Sequence, residues 1–418
     1  MGPITLFDKS FLQSLSVDES VFFDHFFYPV ISPLFYIETL ADLEKAVRQG
    51  RTPEQEVGII ASKTPEMHGG VCAHHTSLCL ANLMGHSVPM NGTIPVPGGR
   101  PVKANGQRGF VFKPSQEHEA FSRWQKGRFL EVERYFARAW RASLNSMDLL
   151  AVAAAIKGMG INPSTCKSLD HAKAMADTIV KGTRNNVDRM KLAFLILGIP
   201  RESEIFILLN WGDAGLSPLY SYAPYASHVL MVEIFFQIAL AANLIATERA
   251  SNRVDVAYLF YLPFCMIFVS SDKLHRRCAP LFLGPDQDFL WGEDLKADLK
   301  QLNGFYAKLP ESEKEKGIMK FASYPPEKGE FLVSKMWDRH LQPWRGKALD
   351  LKPSIRDSEK EKDLVARIKK ISESPTLPPD MVDFEMKDAD MISIQRRVHK
   401  RKGSWWQLPK DLKSSNEK

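Results

Sequence analysis

The segment Val254–His275, VDVAYLFYLPFCMIFVSSDKLH, restricts the folds open to this chain more than any other stretch. Asp255 precedes apolar residues at helical spacing (Val256, Leu259, Phe260), and Pro263 interrupts that run. Cys265 to Val269 then continues as an unbroken, partly β-branched apolar stretch. The pattern predicts a helix feeding a buried strand. That strand ends in Ser270, Ser271 and Asp272, so a second carboxylate falls at a carboxyl-terminal strand edge, where α/β sheets hold their ligands.

The amino terminus repeats the same order of features. Ile4 to Phe7 reads as a short apolar strand that ends in Asp8, and Phe11, Leu12 and Leu15 then share a helical face. Val30 and Ile31 are a second strand candidate. Ser32 and Pro33 form a helix start, with serine as the cap and proline as the first helical residue. The helix predicted next, LFYIETLADLEKAV, puts Glu38 and Asp42 four residues apart on one face. Four acids therefore stand out: Asp8, Glu38, Asp255 and Asp272.

These stretches are widely separated, and at 418 residues the chain exceeds what one compact core usually holds. Gly50 to about Pro114 is rich in glycine, proline and histidine and predicts a loop-rich insertion. Glu117 to about Ile156 predicts helix, with further helices at Leu169–Lys181, Val187–Leu197 and Ser227–Ala246. The division expected is a core from residues 1–50 and 223–290, an insertion over 51–222 and a carboxyl-terminal extension over 291–418. The phenylalanine-rich run Val21–Ile37 is broken by Asp24, His25, Pro29 and Pro33, and Val229–Ala246 contains Glu233, Gln237 and Asn243; neither predicts a membrane span. Five sparse cysteines without a CxxC pair point to a reducing compartment, and the amino terminus shows no signal-peptide pattern, so a cytoplasmic location is expected. The formal net charge is +6, and residues 391–418 carry all of it, with eight basic against two acidic residues. A basic tail on a near-neutral body is a feature of polyanion binding.

The openings ITLFDKSFLQSL and SPLFYIETLADLE, together with VDVAYLFYLPFCMIFVSSDKLH, resemble the acidic motifs of PIN-like nucleases. The resemblance covers about residues 1–50 and 223–283 and departs from the family in the large block between Glu38 and Asp255. It implies an α/β fold: a PIN-like three-layer core with a parallel sheet, a large mostly helical insertion and a charged carboxyl-terminal extension. It also implies a divalent-metal-dependent nuclease acting on RNA rather than DNA, with Asp8, Glu38, Asp255 and Asp272 as catalytic residues that hold Mg²⁺ or Mn²⁺. Ser10, Ser271, Lys273, Arg396 and Arg397 are the candidates for substrate contact. Clustered carboxylates suit that chemistry, because hard oxygen ligands recruit cations that neutralise charge building on a phosphate.

Each feature also has a plainer reading. Asp8 and Asp272 each stand where helix N-caps stand, and Asp255 can cap its own helix. The cluster His68, Cys72, His74, His75, Cys79 and His86 has zinc-ligand chemistry but the spacing of none of the usual zinc modules. The helix from Arg123 to Arg141 either tracks a nucleic-acid backbone or is a solvated face, with Phe136 and Trp140 packed inward. The tail RRVHKRKGSWW either binds nucleic acid or docks its tryptophans on the body. A second functional class, a non-catalytic nucleic-acid-binding or scaffolding protein, follows if the four acids point apart or are paired by Lys9 or Arg253.

Overall fold

The computed structural model describes residues 2–45, 50–104, 106–158, 164–182, 185–346 and 358–412. Among them are ten strands: β1 Ile4–Phe7, β2 Tyr28–Ile31, β3 Gly70–Val71, β4 Arg100–Ala104, β5 Gln107–Phe112, β6 Ile267–Ser270, β7 Asp288–Trp291, β8 Met391–Ile394, β9 Arg401–Lys402 and β10 Trp405–Trp406. Five of them form one all-parallel sheet in the order β3-β2-β1-β6-β7. The protein is thus α/β with a parallel five-stranded sheet. β4, β5 and β8 make a small second sheet, and β9 and β10 a short antiparallel pair.

The central strands are mostly apolar, with Thr5 and Ser270 as buried exceptions, because helices cover both faces. Successive side chains point to opposite faces, and the two cores divide accordingly. Leu6, Val30 and Phe268 enter one core, whereas Phe7, Ile31, Ile267 and Val269 enter the other. Helices α1 Lys9–Ser14, α2 Val17–Phe26 and α3 Pro33–Ala41 follow β1 and β2. α2 starts with a capping box in which the Ser16 side chain accepts from the Glu19 N–H and the Glu19 side chain reaches the Ser16 N–H. Phe11, Phe22 and Phe23 place α1 and α2 on the second core, while Cys278 and Ala279, after β6, lie in the first. From β1 the chain moves outward to β2 and β3, and later returns to lay β6 on the other side of β1. The direction of winding reverses between β1 and β6, and this switch point opens a crevice at the carboxyl ends of the strands.

Several elements differ from the sequence expectation. The glycine- and proline-rich block is not mainly loop: it holds helices Pro53–Lys63 and His75–Leu83 and strands β3 to β5. The first of these helices carries its own start signal, Thr52 as cap, Pro53 at the first position and Gln55 completing a capping box. Its segment also supplies β3, the sheet's edge, so the sheet draws on residues beyond 50. The long helix expected over Glu117–Ile156 is three helices, Gln116–Trp124, Glu131–Asn145 and Leu149–Gly158. Gly127, at a φ of +66°, turns the chain between the first two. Nor do residues 291–418 stand apart: Leu295, Leu299, Trp337 and Trp405 are buried in the same core as α2.

The helix Pro224–Ala241 is long and apolar enough by composition to cross a membrane, and 83% of it is buried inside the protein. Its start is fixed by Asn82, whose Oδ1 accepts from the backbone N–H groups of Tyr225 (2.9 Å) and Ala226 (3.2 Å).

Candidate functional site

The four acids meet at the switch point. Asp8 leaves β1 and Asp272 leaves β6, neighbouring strands at the reversal. Both are helix N-caps: Asp8 Oδ1 accepts from the Phe11 N–H (2.9 Å) and Asp272 Oδ1 from the Leu274 N–H (2.6 Å). The capping reading is therefore correct for each. Glu38 lies in the second half of α3, and Asp255 in the short helix Asn252–Ala257 that precedes the 3-10 segment Tyr258–Phe264.

Hydrogen bonds join the four segments. The Tyr258 hydroxyl donates to Glu38 Oε2. Asp8 Oδ2 accepts from the hydroxyls of Ser10 (2.6 Å) and Ser270 (2.8 Å). His275 is buried behind them, with Nδ1 2.7 Å from Ser270 Oγ and 3.5 Å from Asp8 Oδ2, and Nε2 2.6 Å from the Asp255 carbonyl oxygen. With the Ser270 hydroxyl turned to Asp8, donor counting favours the protonated ring. Ser270 Oγ donates to Asp8 and accepts the Asp272 N–H (2.9 Å), while the Asp255 carbonyl only accepts. An imidazolium, donating from both ring nitrogens, satisfies every partner.

The electrostatics agree. Burial alone pushes the His275 pKa down, but its hydrogen bond to Asp8 and the Asp8 and Asp255 charges lift it to about 9. Burial likewise raises Asp8, yet His275, Ser10 and the Phe11 N–H outweigh it and hold the carboxyl below its usual value. Glu38 is raised, chiefly by burial, with Asp8 adding and Lys9 and Tyr258 opposing. Asp255 is raised to about 7: burial is the main cause, His275 opposes it, and the charges of Glu38, Asp272 and Asp8 all add. Asp255 thus feels all three other acids, and its carboxylate has no hydrogen-bond partner among the described residues.

The cations expected to betray a structural pocket go elsewhere. Lys9 Nζ binds Asp42 (2.9 Å) and the backbone oxygen of Glu38 (3.1 Å), and Arg253 pairs with Glu233. Asp42, also contacted by Arg141 at 3.4 Å, is spent on these pairs and is not an additional site acid. Other buried acids show what a structural carboxylate looks like here: Asp24 accepts three backbone N–H groups, from Glu66, Met67 and His68.

The oxygen-only donor set and the mutual repulsion recorded at Asp255 fit a hard divalent cation. Among the described residues no group of three or more His, Cys, Asp or Glu side chains is arranged to hold a metal ion directly. Water must then complete the shell of any ion, as Mg²⁺ commonly requires. For zinc the cysteine and histidine cluster is a poor host. Cys72 and Cys79 are buried and burial raises both thiols, and His75 Nδ1 is 3.2 Å from the Tyr261 hydroxyl.

The remaining sequence candidates divide. Ser10 touches Asp8, and Lys273 is exposed at the first position of helix Lys273–Cys278. Ser271 does not contribute: its hydroxyl is buried without a hydrogen-bond partner against Gly292, where a Cβ would lie 2.1 Å from it. Ser270, one residue earlier, is the serine that engages Asp8. Arg396 and Arg397 lie elsewhere, in a tail that docks on the body. Trp405 is buried, donating to Asn303 Oδ1 (2.9 Å), and Lys402 Nζ bonds the Thr64 carbonyl oxygen. On the arginine-rich helix, Arg134 pairs with Glu54, Arg138 with Glu44 and Arg141 with Asp42. Contrary to expectation, Phe136 does not pack inward but is exposed, stacked on Trp140.

Ser270, Tyr258 and His275 are absent from the sequence candidates, and the most connected of them is His275. It occupies the third position of the helix capped by Asp272, and side chains there point back toward the cap. That placement was the available signal. Fold and site together define an α/β protein with an acid-lined switch-point crevice; comparison with family models, curated proteins and solved structures found no match.

Proposed function

We propose that this protein is a divalent-metal-dependent nuclease that hydrolyses phosphodiester bonds in the crevice formed by Asp8, Glu38, Asp255 and Asp272. The observation that carries the reading is Asp255, a carboxylate without a hydrogen-bond partner among the described residues, raised to about 7 in the field of three other acids. The assignment to RNA rather than DNA, and to a PIN-like core, rests on the resemblance in the acidic motifs. A cytoplasmic location accords with five cysteines that all remain free thiols.

Mg²⁺ or Mn²⁺ bound by Asp8 and Asp272, with Glu38 and Asp255 reached through water, would supply charge neutralisation at the phosphate. The chain's own groups divide the remaining tasks. Asp8, backed by the His275 imidazolium, stays ionised across the physiological range. Tyr258 fixes the orientation of Glu38. Asp255 is shared between acid and carboxylate near neutrality, the condition for accepting a proton from an attacking water.

A second reading, a non-catalytic nucleic-acid-binding or scaffolding protein, is favoured by two findings: His275 already compensates Asp8, and no direct three-ligand metal group exists among the described residues. Cleavage of labelled single-stranded RNA and DNA with Mg²⁺ or Mn²⁺ separates the two. Asp255→Asn and Asp272→Asn should each lower cleavage by about 100-fold or more. Metal-dependent cleavage that is unchanged in both variants refutes the assignment; no cleavage by the unaltered protein, with RNA binding retained, selects the second reading.

A further inference from the structure

Arg396 and Arg397 line a cavity of about 450 Å³ that is separate from the acidic crevice. Tyr28 and Gly69, at the amino ends of β2 and β3, border it, whereas Asp8 and Asp272 of the crevice follow the carboxyl ends of β1 and β6 in the same parallel sheet. Its wall is mostly apolar, built from Tyr28, Val96, Pro97, Pro114, Phe121 and Ile394. The tail closes it. Arg396 donates to the Gly69 carbonyl oxygen and the Tyr28 hydroxyl, with its guanidinium 5.8 Å from the centre of the Tyr28 ring.

The polar groups around this wall are sorted by position. Lys113 and Arg397 are exposed at the rim and have no ion-pair or hydrogen-bond partner among the described residues. Glu66 is already occupied, accepting from Gln125 Nε2 (2.8 Å) and pairing with His399 (2.7 Å). Glu117, on the first turn of helix Gln116–Trp124, leaves a carboxylate acceptor facing the same space. A cavity of this size takes one small molecule, and an apolar wall with few polar groups is the ordinary composition of such sites.

We propose that this cavity binds a single nucleotide, either a free nucleoside monophosphate or the phosphorylated end of a strand. The base lies against the apolar wall beside Tyr28, its amino group meets Glu117, and the phosphate sits between Lys113 and Arg397. Aromatic surfaces and paired cations are the means by which proteins hold a base and its phosphate. The site does not depend on the nuclease reading.

Calorimetric titration of the full-length protein tests it, with AMP, inorganic phosphate, and one oligoribonucleotide in 5′-phosphorylated and unphosphorylated forms as probes. AMP or the phosphorylated strand should bind; AMP alone identifies the free nucleotide as the ligand, and a requirement for the strand's phosphate identifies the strand end. The double variant Lys113→Gln, Arg397→Gln should weaken binding at least about tenfold, as loss of two charge-assisted contacts requires. Ser122→Phe, on the cavity-facing side of its helix, should block the base, with thermal unfolding of both variants confirming intact folds. The proposal is overturned if neither AMP nor the phosphorylated strand binds, if binding survives both variants, or if inorganic phosphate binds as tightly as AMP.

Discussion

Asp255→Asn should make the metal-free protein more stable, and by an amount that depends on pH. The Asp255 pKa is raised from 3.8 to about 7, a shift of about three units at 1.36 kcal/mol each, or about 4 kcal/mol in all. The folded state holds this proton more tightly than the unfolded chain does. Its stabilisation is therefore complete below pH 4 and is lost as pH rises toward and through 7. Asparagine has the shape of the protonated acid and never ionises, so the variant escapes that loss. Near pH 4 the two proteins should be about equally stable; by pH 8 the variant should lead by up to about 4 kcal/mol, with about half that lead near pH 5.5. Urea unfolding followed by tryptophan fluorescence, in the presence of a chelator, measures the difference at each pH. Saturating Mn²⁺ should then narrow the lead at pH 8, because a cation relieves the repulsion that the substitution removes. A variant no more stable than the parent at pH 8, or a difference that is constant with pH, would refute the shared acidic pocket.

Two further outcomes follow from the packing. His275→Gln should cost about 3–5 kcal/mol at pH 6.5, since it strips a buried carboxylate of its counter-charge. The His275 contribution is complete below pH 6.5 and lost as pH rises through about 9, so the gap between the two proteins should shrink by about 3 kcal/mol by pH 9.5; a gap that stays constant rejects the imidazolium. Trp405→Ala should destabilise by about 3–5 kcal/mol, because the ring is buried against Phe22 and Phe321, and a midpoint of chemical unfolding that does not move would show that the tail is not docked.

The parts of the fold legible in the sequence are those where local chemistry decides the conformation. β1, the start of α3 at Ser32 and Pro33, and β6 emerge within a residue or two, because strand runs and caps act on their neighbours alone, whereas the helix expected to open at Asp255 starts at Asn252 and Pro263 lies inside a 3-10 segment rather than ending the helix. β3 was not legible. Two residues, Gly70 and Val71, have no pattern of their own, and pairing with Val30 and Ile31 makes them a strand. For the tail the sequence leaves nucleic-acid binding and docking on the body both open, and contacts of Trp405 with Phe22 and of Lys402 with the Thr64 carbonyl oxygen, hundreds of residues away in sequence, hold it on the body.

The site was legible as a set of acids and not as an electrostatic system. Strand-ending aspartates are visible one at a time, but what separates Asp255 from Asp24 is whether backbone N–H groups arrive to meet the carboxylate, and those come from distant segments. His275 makes the point most directly. Its ring joins the carboxyl end of β6, the Asp8 carboxylate and the Asp255 backbone, so one imidazolium ties together three of the four acid-bearing segments. A neutral ring would hold Ser270 and the Asp255 carbonyl oxygen only by drawing the Ser270 hydroxyl away from Asp8, whereas the imidazolium leaves that hydroxyl on the carboxylate. The acids near it therefore differ in kind: Asp8 is compensated from within the protein and fixes the crevice, whereas Asp255 lacks a hydrogen-bond donor among the described residues and is the acid that a bound cation or an incoming proton would change most.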